Sequence, residues 1–122
     1  MHAIVRKSSQ VELEPVQAGD GTRRQVLIRP DEAPHFALRR FIMEPGGGMP
    51  PHTNTVEHEQ VVLQGAATIG IGKETFRVEA GDVVFIPGGA PHWYRAEGDE
   101  PFAFLCIVPN LPDQIDLVEP ES

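Results

Sequence analysis

Short stretches rich in β-branched and aromatic residues recur along the chain, each bounded by turn formers. They cover residues 25–28, 37–43, 60–63, 67–71, 75–78, 83–86 and 102–108, which predicts at least seven strands. The separators are Pro30-Asp31, residues 45–48 (Pro-Gly-Gly-Gly), Gln64-Gly65, Gly72-Lys73, residues 80–82, residues 87–89 and Gly98-Asp99. Residues 68–71, then Gly72-Lys73, then 74–78 read as a hairpin on a two-residue turn with glycine first. The strand ending the series alternates: Phe102, Phe104, Cys106 and Val108 share one face, and Ala103, Leu105 and Ile107 the other.

Twelve glycines and twelve prolines in 122 residues leave little room for long helices. The pattern therefore predicts an all-β sandwich or small barrel with little or no helix. No repeat and no shift of composition interrupts residues 22–109, so residues 1–122 are expected to form a single domain with that stretch as its core. Residues 110–122 are acidic, contain proline and show no sustained period; this tail is expected to be disordered or to lie along a neighbouring surface.

Eighteen acidic against ten basic side chains give a net charge of −8, which argues against nucleic acid and anionic membranes as partners. The tightest basic groups are Arg23-Arg24 and Arg39-Arg40. No run approaches the roughly 20 apolar residues of a membrane helix, and residues 1–10 lack the apolar stretch of a secretory signal. The single cysteine, Cys106, excludes an internal disulfide and fits a reducing compartment. Together these features point to the cytoplasm. No nucleophile elbow, phosphate-cradling loop or cysteine pair is present.

Three of the five histidines, His52, His58 and His92, stand where strands begin or turns end. In extended chain His52, Asn54 and His58 share one face, while Glu57 and Glu59 take the other. Imidazoles from two separated segments can then converge on one divalent cation, a donor set suited to Fe, Mn, Co, Ni, Cu or Zn rather than Mg or Ca. Spacing alone equally describes surface or hydrogen-bonded histidines. His2 and His35 are assigned no such role.

The residues from Gly46 to Ala96 resemble the cupins, whose two motifs read G-x5-H-x-H-x3,4-E-x6-G and G-x5-P-x-G-x2-H-x3-N. Gly46, His52, Asn54, His58 and Gly65 fill the first at its spacing, with Asn54 in the second His slot and His58 in the Glu slot. Gly81, Pro87, Gly89 and His92 fill the second, and Ala96 takes the final Asn position. The alternative of Glu59 as the acidic ligand would leave five residues before Gly65 instead of six. The resemblance implies an antiparallel jelly-roll barrel, one divalent transition metal per chain with Fe or Mn foremost, and ligands His52, His58 and His92. It also implies a small-molecule substrate and a homodimer.

Where cupins usually present three His and one Glu, this chain offers three neutral imidazoles, which leave a bound divalent cation at +2 and make it the stronger Lewis acid. Asn54 either coordinates through its carbonyl oxygen, orients a bound water or caps a turn. Gln60, two residues beyond His58, is either a hydrogen-bond donor to substrate or ligand, or an edge residue touching solvent. If the Phe102 face turns inward, Phe104 and Cys106 wall an apolar pocket, and at most one of Trp93 and Tyr94 borders it. Three functions follow: an Fe(II)- or Mn(II)-dependent oxygenase of a small organic substrate, a non-redox metal-dependent lyase or isomerase, and a non-catalytic ligand-binding or sensor module.

Overall fold

The structure is a computed structural model that describes residues 2–118. Among those residues, one 3₁₀ turn (Ser8–Gln10) precedes ten strands. These are β1 (Glu14–Pro15), β2 (Asp20–Ile28), β3 (Phe36–Asn54), β4 (His58–Gln64), β5 (Ala66–Ile71), β6 (Glu74–Glu79), β7 (Val83–Ile86), β8 (His92–Glu97), β9 (Phe102–Pro109) and β10 (Ile115–Leu117). Every pairing is antiparallel. The predicted hairpin is β5–β6, with Ile71 opposite Glu74 across Gly72-Lys73 and Gly72 at φ 61°.

The strand β3 organises the molecule. Residues 36–43 pair with β2 and β9, whereas residues 48–54 pair with β8 and β10, Gly48 at the junction also pairing with Asp20 of β2. One strand of 19 residues thus belongs to two walls that face each other across the interior. The expected turn at residues 45–48 is a bend within it. Gly46 supplies a φ of 80°, and a Cβ on Gly48 would collide with the Tyr94 carbonyl oxygen of β8. Glycines here let two backbones close up while the ladder continues, so they bend the strand without ending it.

The first wall reads β2-β3-β9-β4-β7, and its registers align residues into rows. Val26, Arg39, Cys106, Gln60 and Val84 form one row; Arg24, Phe41, Phe104 and Val62 form the next. The second wall is built from the end of β3 with β8, β5 and β6, where His52 opposes His92 and Met49 opposes Tyr94. Between the walls lie the buried Met43, Ile69, Ile86, Phe102 and Phe104. Phe104 stacks between Phe41 and Tyr94 at centroid distances of 5.2 and 5.3 Å, joining the walls.

Three strands depart from the sequence reading: the two-residue β1, which pairs with Arg23 and Arg24 of β2, together with β8 and β10. Strand β8 was not expected, because His-Trp-Tyr-Arg-Ala-Glu has too few aliphatic residues to read as a strand; its alternation of buried His92, Tyr94 and Ala96 with more exposed neighbours appears only in three dimensions. In the acidic tail, Ile115–Leu117 pairs with His52–Asn54 of β3, and the Asp113 carboxylate accepts hydrogen bonds from the Thr55 and Val56 backbone N–H groups. The last four residues of that tail lie outside the described residues. No helix among the described residues is long and apolar enough to cross a membrane.

Candidate metal centre

A cavity of about 110 Å³ opens between the two walls. The second wall contributes His52, Asn54, His92 and Tyr94; the first contributes His58, Gln60, Phe104 and Arg39. His52, His58 and His92 are all buried, and Glu57 and Glu59 are exposed on the outside. Outside, a hydrogen bond shared with Glu57 raises the Glu59 carboxyl to about 7.

Ring centroids of His52 and His92 lie 4.1 Å apart, and those of His58 and His92 5.6 Å apart. The orientation of His52 and His92 follows from local chain geometry. Each ends an X-Pro-His tripeptide and directs Nδ1 at the carbonyl oxygen two residues back: Pro50 at 2.8 Å and Ala90 at 2.9 Å. A carbonyl only accepts, so Nδ1 carries the proton in both rings and Nε2 keeps a free lone pair.

His58 is set differently. Its Nδ1 lies 3.2 Å from Cys106 Sγ, a contact made by the diagonal of the β4–β9 register, in which Cys106 opposes Gln60. The same sulfur receives Arg39 Nη2 at 3.4 Å and Gln60 Nε2 at 3.7 Å. A sulfur surrounded by donors accepts from Nδ1–H, which again frees Nε2. Cys106 therefore stands behind His58 and is absent from the cavity wall, contrary to its expected lining role; Phe104 does line the cavity. The small thiol is consumed by its neighbours' hydrogen bonds.

Whether these residues suit a metal is answered by their unpaired atoms. Nε2 of His58 and Nε2 of His92 are buried and have no hydrogen-bond partner, a costly state for a polar atom unless a ligand completes it. Among the described residues, no group of three or more His, Cys, Asp or Glu side chains is placed so that it could hold a metal ion as it stands. The donor chemistry nevertheless fits: buried, neutral imidazoles with oriented tautomers on one cavity are the ligands a divalent transition metal takes. Burial, reinforced by the Arg39 charge, lowers His58 to about 3. Burial, reinforced by His52, lowers His92 to about 4 against the opposing effect of the Ala90 carbonyl. Both rings are thus neutral and ready to coordinate at neutral pH.

Asn54 is held from outside, its Nδ2 donating to Asp113 Oδ2 at 3.1 Å. This fixes the amide with Oδ1 buried and unpartnered on the cavity. Gln60 does not touch solvent: it is buried and donates through Nε2 to the Tyr94 hydroxyl at 2.8 Å. Burial pushes the Tyr94 phenol above its usual value, which the Gln60 bond only partly offsets, so it remains an O–H donor. Sequence reasoning missed Asp113, Arg24 and Arg39. Residue spacing in the acidic tail carried no sign of Asp113, and the two arginines appeared only as members of basic pairs.

Comparison with known proteins places this geometry in a family. The Cupin domain model matches residues 39–108. The polyketide cyclase RemF from Streptomyces resistomycificus superposes with a TM-score of 0.85 at 31% identity, covering 99% of this chain and 88% of that one. A Rhodospirillum rubrum protein named 1-methylthio-D-xylulose 5-phosphate methylsulfurylase is 35% identical over 86 residues, 66% of this chain. The chain spans about half the length of that curated relative, 55%. A Thermotoga maritima protein described as a predicted oxalate decarboxylase superposes at a TM-score of 0.79 and 21% identity over 88% of this chain, a likeness of fold alone. An antiparallel barrel with the cupin model running from β3 to β9, and a relative at 31% identity over nearly all of its length, show that this chain belongs to the cupin family.

Proposed function

We propose that the chain is a mononuclear metalloenzyme that transforms a small carbonyl-bearing organic substrate without net redox change. His52, His58 and His92 are the protein ligands. The observation carrying this reading is the pair of buried, unpartnered imidazole nitrogens, His58 Nε2 and His92 Nε2, at a cavity lined by apolar and aromatic side chains together with a few polar ones, Asn54, Gln60, Arg24 and Arg39 among them. Two relatives carry enzyme names, a polyketide cyclase and a methylsulfurylase, which supports a catalytic role on a small organic molecule.

When bound, a divalent transition metal supplies Lewis acidity to a substrate oxygen. The protein's own groups do the rest. Tyr94, protonated and held by Gln60, donates a hydrogen bond to a second substrate oxygen as negative charge develops there. Asn54 Oδ1, fixed by Asp113, accepts from a substrate hydroxyl or water. Phe41 and Phe104 form an apolar floor that excludes water and orients the carbon skeleton.

The second reading is an Fe(II)- or Mn(II)-dependent oxygenase. One observation favours it: no Asp or Glu lines the cavity among the described residues, so a carboxylate base for proton abstraction is missing there, and oxygen chemistry does not require one. Metal analysis by plasma mass spectrometry of untagged protein purified without chelator tests the common core of both. About one Fe, Mn, Co, Ni, Cu or Zn per chain, lost in His52→Ala and His92→Ala, is the expected result. A panel of β-keto acids and β-diketones then separates the readings. Conversion under argon by zinc-loaded protein supports the proposal, and oxygen uptake that requires iron or manganese moves the assignment to the oxygenase. Binding without conversion leaves a ligand-binding module.

A further inference from the structure

The chain is strongly acidic, with a net charge of −8, yet its cavity wall carries two arginines and no carboxylate among the described residues. Strand parity explains the selection. In each of the pairs Arg23-Arg24 and Arg39-Arg40, consecutive residues point to opposite faces. Arg23 goes outward and pairs with Glu44 at 2.9 Å, whereas Arg24 and Arg39 both line the cavity. The register puts Phe41 opposite Arg24 and Val26 opposite Arg39, so the two guanidinium-bearing residues are diagonal neighbours on one face.

Neither has a carboxylate partner among the described residues, although Arg6, Arg23 and Arg29 all do. Arg39 is held in place: its guanidinium lies 5.0 Å above the Phe41 ring, and Nη2 reaches Cys106 Sγ. Its Nε is buried and has no acceptor. An anchored guanidinium with an unsatisfied buried N–H is an incomplete hydrogen-bonding site, and a planar fork is completed best by an oxyanion.

We propose that Arg24 and Arg39 recognise an oxyanion of the substrate, a carboxylate or a phosphate, so that the cupin cavity selects small organic anions over neutral molecules. The assignment rests on the reading above for the location of the substrate and is independent of it for the metal. The arginines fix one end of the substrate on the first wall, and its reacting oxygen faces the imidazoles of the second.

The test is calorimetric titration of the full chain, both chelator-treated and zinc-reconstituted, with benzoate, benzamide and inorganic phosphate. Benzoate is expected to bind chelator-treated protein more tightly than benzamide. Its affinity is expected to fall about tenfold in Arg39→Gln and several-fold in Arg24→Gln, while benzamide is unaffected. Phosphate binding with the same arginine dependence, and no benzoate binding, assigns the oxyanion as phosphate. If Arg39→Gln fails to fold, Arg39→Lys, which keeps the charge but loses the fork, and Arg24→Gln decide the matter. Benzoate and benzamide binding alike, no binding of either anion, or anion binding unchanged in the arginine variants would overturn the inference. So would anion binding that depends on zinc alone. Arginine-dependent anion binding by a chain that takes up no metal would refute the metalloenzyme reading and leave this one standing.

Discussion

The two walls of the cavity orient their imidazoles by opposite means. On the second wall, His52 and His92 are each aimed by a backbone carbonyl two residues away, across an intervening proline whose φ is fixed. On the first, His58 is aimed by Cys106, separated from it by 48 residues. One pair of rings is positioned by its own tripeptide and the third by the finished barrel. A ligand site can thus be half local and half tertiary, and its two halves should fail in different ways.

The sharpest way to break the distinction is to remove a ring from either wall. His52→Ala, His58→Ala and His92→Ala should each weaken metal binding by more than about 100-fold, because each deletes a donor outright. Competition with a chromophoric chelator measures it. A variant that retains wild-type affinity is not a ligand, whichever wall it occupies.

Next in size is the support of the tertiary ring. Cys106→Val keeps the site apolar, with a slightly larger branched side chain, but removes the acceptor for His58 Nδ1–H, and metal affinity should drop about 10- to 100-fold, as for other groups that orient a ligand from behind. Cys106→Ser should recover much of the loss. Equal affinities for the Val and wild-type proteins would show that packing alone positions His58.

A different kind of effect concerns acid. In metal-free protein His92 sits at about 4 and His58 at about 3, both below the value of about 6.5 expected once unfolded. The unfolded chain takes up protons that the folded rings refuse, so stability should fall as pH drops below about 6.5. His92 stops contributing to that loss near 4, and His58 continues to about 3. Urea unfolding of chelator-treated protein from pH 7 to pH 4 should show this slope, and His58→Gln should flatten it.

The smallest effect belongs to the local wall. Pro51→Ala and Pro91→Ala loosen the unfolded chain and should cost roughly 0.4–1 kcal/mol in stability, read from denaturant midpoints. Metal affinity should change only a few-fold, because the Nδ1–H to carbonyl bond survives. A loss as large as that of Cys106→Val would mean that the tripeptide geometry depends on proline itself.

The same division explains what could be read without coordinates. Seven of the strands, the β5–β6 hairpin and the shared face of His52, Asn54 and His58 were legible, since alternation and turn residues are local properties. The histidines and glycines at motif spacing, from Gly46 to His92, allowed the resemblance to cupins to be recognised. The continuation of β3 through residues 45–48 was hidden, because a glycine run signals a turn equally well as a bend pressed against another backbone. Strand β8 was hidden by its polar composition. The roles of Cys106, Arg39 and Asp113 were illegible for one reason: each acts on a residue far away in sequence, and register alone brings them together.

The double membership of β3 has a mechanical side. Arg39 sits on its first half and His52 and Asn54 on its second, joined by unbroken peptide through the bend at residues 44–48. The cavity is therefore closed along one side by covalent bonds, and it cannot gape there as a cleft between separate domains does.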